Sequence, residues 1–262
     1  MTTRTEYAHG EFSWADLATT DPAAAKRFYG DLFGWKSEDM AAGGMTYTIC
    51  RLKNHDTAAL YALDKERQSQ GVPPHWMPYI NVRSADDIAK KASQAGGKVL
   101  YGPLDVMDVG RMVAMQDPTG AHFATWQAKK HIGAGIINEP GAMCWNELMT
   151  HDPAQAQKFY GDIIGWTFVP MPMQDGGTYW VAKVGDKMIG GIFEMKGPEF
   201  AEIRDNWIPY LSVDHVDERA KRAAAAGASL MRPLFDIPGI GRIAILREPG
   251  GAVVGWMTPA TA

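Results

Sequence analysis

The chain has little of what would mark several large functional classes. Only two cysteines occur among 262 residues, Cys50 and Cys144, and they make no CxxC spacing. That excludes a disulfide framework and a thiolate metal site, and leaves both as small buried hydrophobes. No apolar run approaches the roughly 20 residues of a membrane span, and the start, MTTRTEYAHGEF, lacks the apolar core of a signal peptide. No membrane association is expected, and the chain reads as cytoplasmic. Neither sign of charge dominates, with 26 Lys and Arg against 30 Asp and Glu and no basic cluster. Nucleic-acid binding is excluded on that balance. There is no GxSxG elbow, Walker loop, dinucleotide fingerprint, HxH or HExxH pattern. Gly239-Ile240-Gly241 precedes a strand and reads as a turn, not a phosphate cradle.

What is present is said twice. Gly10 to Trp35, GEFSWADLATTDPAAAKRFYGDLFGW, and Gly141 to Trp166, GAMCWNELMTHDPAQAQKFYGDIIGW, match at 14 of 26 places, 131 positions apart. At the same spacing Pro78-Tyr79 is answered by Pro209-Tyr210, Gly110-Arg111 by Gly241-Arg242, and Asp117-Pro118-Thr119-Gly120 by Glu248-Pro249-Gly250-Gly251. A repeat this long overrides other ways of parsing the chain. It divides into copies at 1–128 and 142–262, joined by a linker at 129–141. The copies pair with each other inside the chain, as a pseudo-dimer that is a monomer in solution, or build a homodimer.

Each copy reads as α+β, in two βαβββ half-units. Phe12 to Leu17 is a strand; Asp21 caps a helix with Pro22 at its first position; Ala24, Ala25, Phe28, Tyr29 and Leu32 form its apolar face; and Gly34 ends it. Strands follow near 46–52 and 57–63, with Lys53 to Asp56 as their turn, and a polar connector at 65–74. The second half-unit opens with a strand at 77–82, a helix started by Ser84 with Asp87, and three strands near 98–106, 111–116 and 122–127. Asp214 takes the helix-capping place in copy two.

An Asp-Pro cap on the first helix, FYGxxxGW at its end and DPxG before the last strand, each found twice, resemble the vicinal oxygen chelate superfamily of glyoxalases, bleomycin-resistance proteins and extradiol dioxygenases. The resemblance spans nearly the whole chain and implies curved mixed sheets enclosing a cavity. It also implies a divalent metal held by His or Gln, His, and Glu. The three ligand positions map to Trp14, Met77 and Ala124 in copy one and to Trp145, Ile208 and Gly255 in copy two. None of these is the expected donor, so no metal and no other cofactor is expected.

Alternation along a strand puts Phe12, Trp14 and Asp16 on one face, and Met143, Trp145 and Glu147 on the matching face. With Trp14 at the old ligand position, that face lines the cavity. Met77, Tyr79, Asn81, His122 and Trp126 are expected to join it in copy one, and Ile208, Tyr210 and Ser212 in copy two. The expectation is a metal-free binder of a small aromatic or apolar molecule, by sequestration or resistance. The alternative is a glyoxalase- or dioxygenase-like enzyme. It would be an acid–base lyase or isomerase with Asp16 or Glu147 as base and His122 or Tyr210 as acid, or a metalloenzyme with other ligands such as His122 with Asp16. Against both stand structural roles: the tryptophans as core, and the acids paired with Arg111 or Arg242.

Overall fold

A computed structural model describes residues 2–173 and 176–260. Each copy forms one continuous sheet. In the first, the strand order is Lys36–Ala42, Met45–Leu52, His55–Ala62, Phe12–Thr19, His75–Asn81, His122–Ala128, Gly110–Gln116, Lys98–Val106. Two βαβββ half-units therefore meet at their first strands, Phe12–Thr19 running antiparallel to His75–Asn81. The second sheet repeats this order from Thr167–Pro172 through Met143–Thr150 and Asn206–Ser212 to Gly241–Arg247. Its last edge is broken into Ser229–Leu230 and Phe235–Ile237.

The helices start and stop where the sequence signals place them. Asp21 accepts from Ala24 N at 2.9 Å and Asp152 from Gln155 N at 2.9 Å, each followed by proline. Gly34 and Gly165 end those helices at φ 72° and 85°, a left-handed turn that a side chain would strain. Three local expectations are corrected. The turn between the second and third strands of the first half-unit is only Lys53 and Asn54, because both take positive φ and let pairing resume at His55. The connector at 65–74 carries a short helix, Lys65–Ser69, capped by Asp64. Asp214 does not cap the fourth long helix. His215 holds that place without a side-chain bond, and Asp214 instead pairs with Arg219 at 2.7 Å.

The two copies pack on each other through a single apolar core that contains the face of each sheet turned toward the helices. Contacts are reciprocal: helix Pro22–Phe33 lies against helix Val216–Ala225, and helix Pro153–Ile164 against helix Ala85–Gln94. Trp35 Nε1 donates across to Gly141 O at 2.8 Å, and Trp166 Nε1 to Gly10 O at 2.9 Å. Gly10 must be glycine. Its φ is 90°, and a Cβ there would lie 2.9 Å from Val184 and 3.1 Å from the Trp166 indole nitrogen. The DPxG turn and its copy take part as well. Tyr160, stacked on Trp166 at 5.1 Å, donates to Asp117 Oδ2 at 2.9 Å and accepts from Trp207 Nε1 at 2.8 Å. Its counterpart Tyr29, stacked on Trp35 at 4.7 Å, faces Glu248.

The linker is built into the fold. Ile136–Ile137 pairs with Thr2–Thr3, Ala134 N donates to Ser13 O at 2.7 Å, and the Tyr7 hydroxyl donates to Ala134 O at 2.6 Å. Among the described residues no helix is long and apolar enough to cross a membrane.

Two outcomes test this packing. Tyr160→Phe strips a partner from both buried Asp117 and buried Trp207, and is expected to cost about 1–3 kcal/mol in urea unfolding. An unchanged midpoint would show that the contact does not hold the copies together. Glu248 has its carboxyl pushed up to about 7, chiefly by burial. The folded chain thus holds this proton more tightly than the unfolded chain. The resulting stabilisation is full below the ordinary carboxylate range and is lost as pH rises through the folded value. Urea midpoints should therefore fall between about pH 5 and about pH 7.5, and Glu248→Gln should flatten the fall. A slope indifferent to the substitution would contradict it.

Candidate functional site

The face of each sheet away from the shared core forms a cup. In copy one, register places Trp14 opposite Tyr79, Asp16 opposite Met77, and Tyr79 beside Ala124, so these side chains project together. They gather with Ile49, Ala59 and Trp126 into a second apolar cluster separate from the main core. In copy two, Trp145 lies opposite Tyr210 and Glu147 opposite Ile208, within a third cluster.

At the bottom of each cup the same array of four side chains recurs. Trp14 Nε1 donates to the Tyr47 hydroxyl at 3.0 Å, and the hydroxyls of Tyr47 and Tyr79 both donate to Asp16 Oδ2, at 3.0 Å and 2.8 Å. Trp145 Nε1 donates to the Tyr179 hydroxyl at 2.9 Å; Tyr210 donates to Glu147 Oε1 at 2.8 Å, and Tyr179 also bonds Glu147. The shorter aspartate gathers both hydroxyls on one oxygen, and its Oδ1 is left buried without a partner. Burial pushes the Asp16 carboxyl up to about 7, against the opposing pull of Tyr79, Tyr47 and the Arg67 charge. Glu147 is raised for the same first reason, opposed by Tyr210, Tyr179 and Arg232.

Tyr47 and Tyr179 escaped the sequence reading. The repeat runs at a spacing of 131, whereas these two stand 132 apart, because the second hairpin carries one more residue. The signal was the dipeptide Thr46-Tyr47, matched by Thr178-Tyr179.

Other expected members are placed elsewhere. Phe12 leaves the cup because register shifts between Phe12 and Trp14; this bulge turns Phe12 to the opposite face, where its ring packs between Trp166 at 5.5 Å and Trp207 at 5.2 Å. Met143 is turned to the main core by the matching bulge. Asn81 is spent on structure: its amide donates to Tyr7 O at 2.7 Å and Ala8 O at 3.2 Å. Ser212 is buried at its strand end, where its backbone pairs with Ala142 and Gly141. His122 is exposed at the start of its strand, bonded to Gln116 at 3.1 Å, and neither hydrogen-bonds nor ion-pairs with Asp16 among the described residues. Arg111 and Arg242 do not reach the buried acids. They pair with Asp86 and Asp105, and with Asp217 and Asp236.

The two cups differ in access. Over the first lies the linker: Trp126 Nε1 donates to His131 O at 2.7 Å, the His131 ring meets Trp14 edge-on at 5.0 Å, and Ala134 and Ile137 pack into the cluster. Trp14 is left 5% exposed and Tyr79 8%. In the second cup Trp145, Glu147 and Tyr179 remain half-buried, with Cys144, Met149, Phe235, Ile237, Ile245, Val253 and Met257 around them.

The positions that the resemblance would make metal ligands do not fit a divalent ion. Trp14, Met77 and Ala124, and likewise Trp145, Ile208 and Gly255, offer no nitrogen or carboxylate donor. In copy two the space itself is taken, since a Cβ on Gly255 would lie 2.4 Å from the Tyr210 ring. Among the described residues no group of three or more His, Cys, Asp or Glu could hold a metal.

Comparison with known proteins agrees with this fold. Residues 11–125 match the model of the Glyoxalase/Bleomycin resistance protein/Dioxygenase superfamily. The chain is 40% identical over 262 residues, 99% of each chain, to "Putative glyoxylase CFP32" of Mycobacterium tuberculosis. It is 33% identical over 259 residues, 95% of this chain and 93% of the other, to "Anthracycline biosynthesis protein DnrV" of Streptomyces peucetius. Among solved structures, the Mn(II)-bound glyoxalase from Novosphingobium aromaticivorans superposes with a TM-score of 0.66 at 15% identity, covering 95% of this chain and 82% of that one. The 2,3-dioxygenase LapB from Pseudomonas sp. KL28 gives 0.67 at 12%, covering 97% and 94%. Doubled half-units, cups on the faces away from the helices, and identity along the full length of its relatives place this chain in the glyoxalase/bleomycin resistance protein/dioxygenase superfamily.

Proposed function

We propose that the chain binds a planar aromatic small molecule in its second cup without a metal. The observation that carries this is the Trp–Tyr–carboxyl–Tyr array, built around Trp145 at a position the resemblance would give to a metal ligand and flanked by half-buried aromatic and aliphatic side chains. Trp145 and Phe235 offer flat apolar area, and a carboxyl held by two hydroxyls offers one polar point to orient a ring oxygen. The relative named for anthracycline biosynthesis makes a polycyclic aromatic a fitting occupant. The first cup, filled by its own side chains and covered by the linker, serves as scaffold in this reading.

Proton transfer is a second reading, favoured by Asp16 and its unpartnered oxygen. A buried carboxyl near neutral pH that keeps one acceptor free has the poise of a general base.

Fluorescence titration with 1,8-dihydroxyanthraquinone should show saturable tryptophan quenching unaffected by EDTA. Trp145→Ala should weaken binding about tenfold or more, in line with loss of an aromatic anchor. Quenching abolished by EDTA and restored by a divalent ion would overturn the metal-free reading. For proton transfer, Asp16→Asn should abolish any turnover while leaving quenching intact; turnover equal in Asp16→Asn and Glu147→Gln to that of the parent chain would dispose of both acids as bases.

A further inference from the structure

Arg232 is an exposed cation held in a fixed place at the second cup. Its guanidinium lies 4.1 Å over the ring of Phe235, which lines that cup, and its charge reaches Glu147. Stacking on a ring fixes the plane of the guanidinium while leaving its N–H edge free to bond. Among the described residues Arg232 makes no ion pair. The acid closest to it in sequence, Asp236, is taken by Arg242 at 2.7 Å. A cation seated over a ring of the second cup, with no ion-pair partner among the described residues, offers an anion a place to bind.

The backbone puts it there. The edge of the second sheet breaks between Ser229–Leu230 and Phe235–Ile237, and the intervening turn folds Arg232 back over the Phe235 ring, whose strand is separated from that of Tyr210 by two others. In the first copy the corresponding strand, Lys98–Val106, is unbroken, and the residue 131 positions earlier is the exposed Tyr101. The first cup has its own nearby cation, Arg67, whose charge reaches Asp16, but Arg67 is paired with Asp64 at 3.1 Å, whereas Arg232 makes no ion pair among the described residues.

Resting on the reading that the second cup holds an aromatic ring, we infer that its ligand is a planar aromatic acid, with the ring against Trp145 and Phe235 and the carboxylate on Arg232. A guanidinium fork matches a carboxylate with two parallel hydrogen bonds. Glu147 would ordinarily repel such a ligand. Its two tyrosine partners hold the carboxyl at the floor, away from the rim where the ligand's charge would sit, and its burial favours the neutral form more than in water, against the opposing pull of those tyrosines and of Arg232.

The test uses the full chain with anthraquinone-2-carboxylate and its methyl ester, titrated against the parent protein, Arg232→Gln and Arg232→Lys. The parent is expected to prefer the acid by about tenfold or more, the scale of a charge-assisted bidentate contact. Added salt should erode that preference. Arg232→Gln should bring acid and ester to nearly equal affinity while leaving ester binding unchanged, and Arg232→Lys should keep part of the preference. Equal binding of acid and ester by the parent, or a preference that survives Arg232→Gln, overturns the inference and leaves the aromatic cup standing. Failure of both compounds to bind the parent overturns the aromatic cup itself.

Discussion

Neither copy can bury the helix side of its own sheet alone, and this constraint governs the rest of the structure. The first helix of each copy reaches the second half-unit of the other, so one core serves both. Trp35 and Trp166 each donate across the seam to the glycine that opens the other copy. Tyr29 and Tyr160, stacked on them, face acids from the opposite DPxG-type turn. The residues that made the repeat visible, FYG, GW and DPxG, are therefore mostly those that clasp the copies together. With the helix faces committed to that seam, the opposite faces of the two sheets are left as cups.

Inside the cups a ladder of polar side chains spans neighbouring strands. The strands are tied through hydrogen bonds between indole, phenol and carboxyl. Aspartate and glutamate give two versions of this tie. Both acids bond two tyrosines, but the aspartate takes both hydroxyls on one oxygen and leaves the other buried without a partner. A buried orphan of that kind costs about 1–3 kcal/mol. It survives in the copy that is better covered.

Much of this was legible in the residues. Asp-Pro caps, glycine stops and the doubled motifs gave the α+β order, and alternation put Trp14, Asp16, Trp145 and Glu147 into the cups because strands obey a period of two. The same rule failed at Phe12 and Met143, since a bulge at Ser13 and Cys144 resets the period and leaves no mark in composition. Tyr47 and Tyr179 were hidden by a one-residue change in hairpin length. Asn81 and His122 could not be placed from their strand alone: what they bond is set by the N-terminal segment and by Gln116.

The linker gives the duplication a consequence of its own. A chain that joins two similar halves must run a connecting segment from the end of one to the start of the other, and here that segment crosses the first cup, fastened at His131, Ala134 and Ile136–Ile137. It occupies the cup as a permanently tethered guest, at an effective concentration that a free molecule would have to overcome. Covalent continuity alone thus makes two nearly equivalent halves unequal: the connection that pairs them closes one and leaves the other free to diverge.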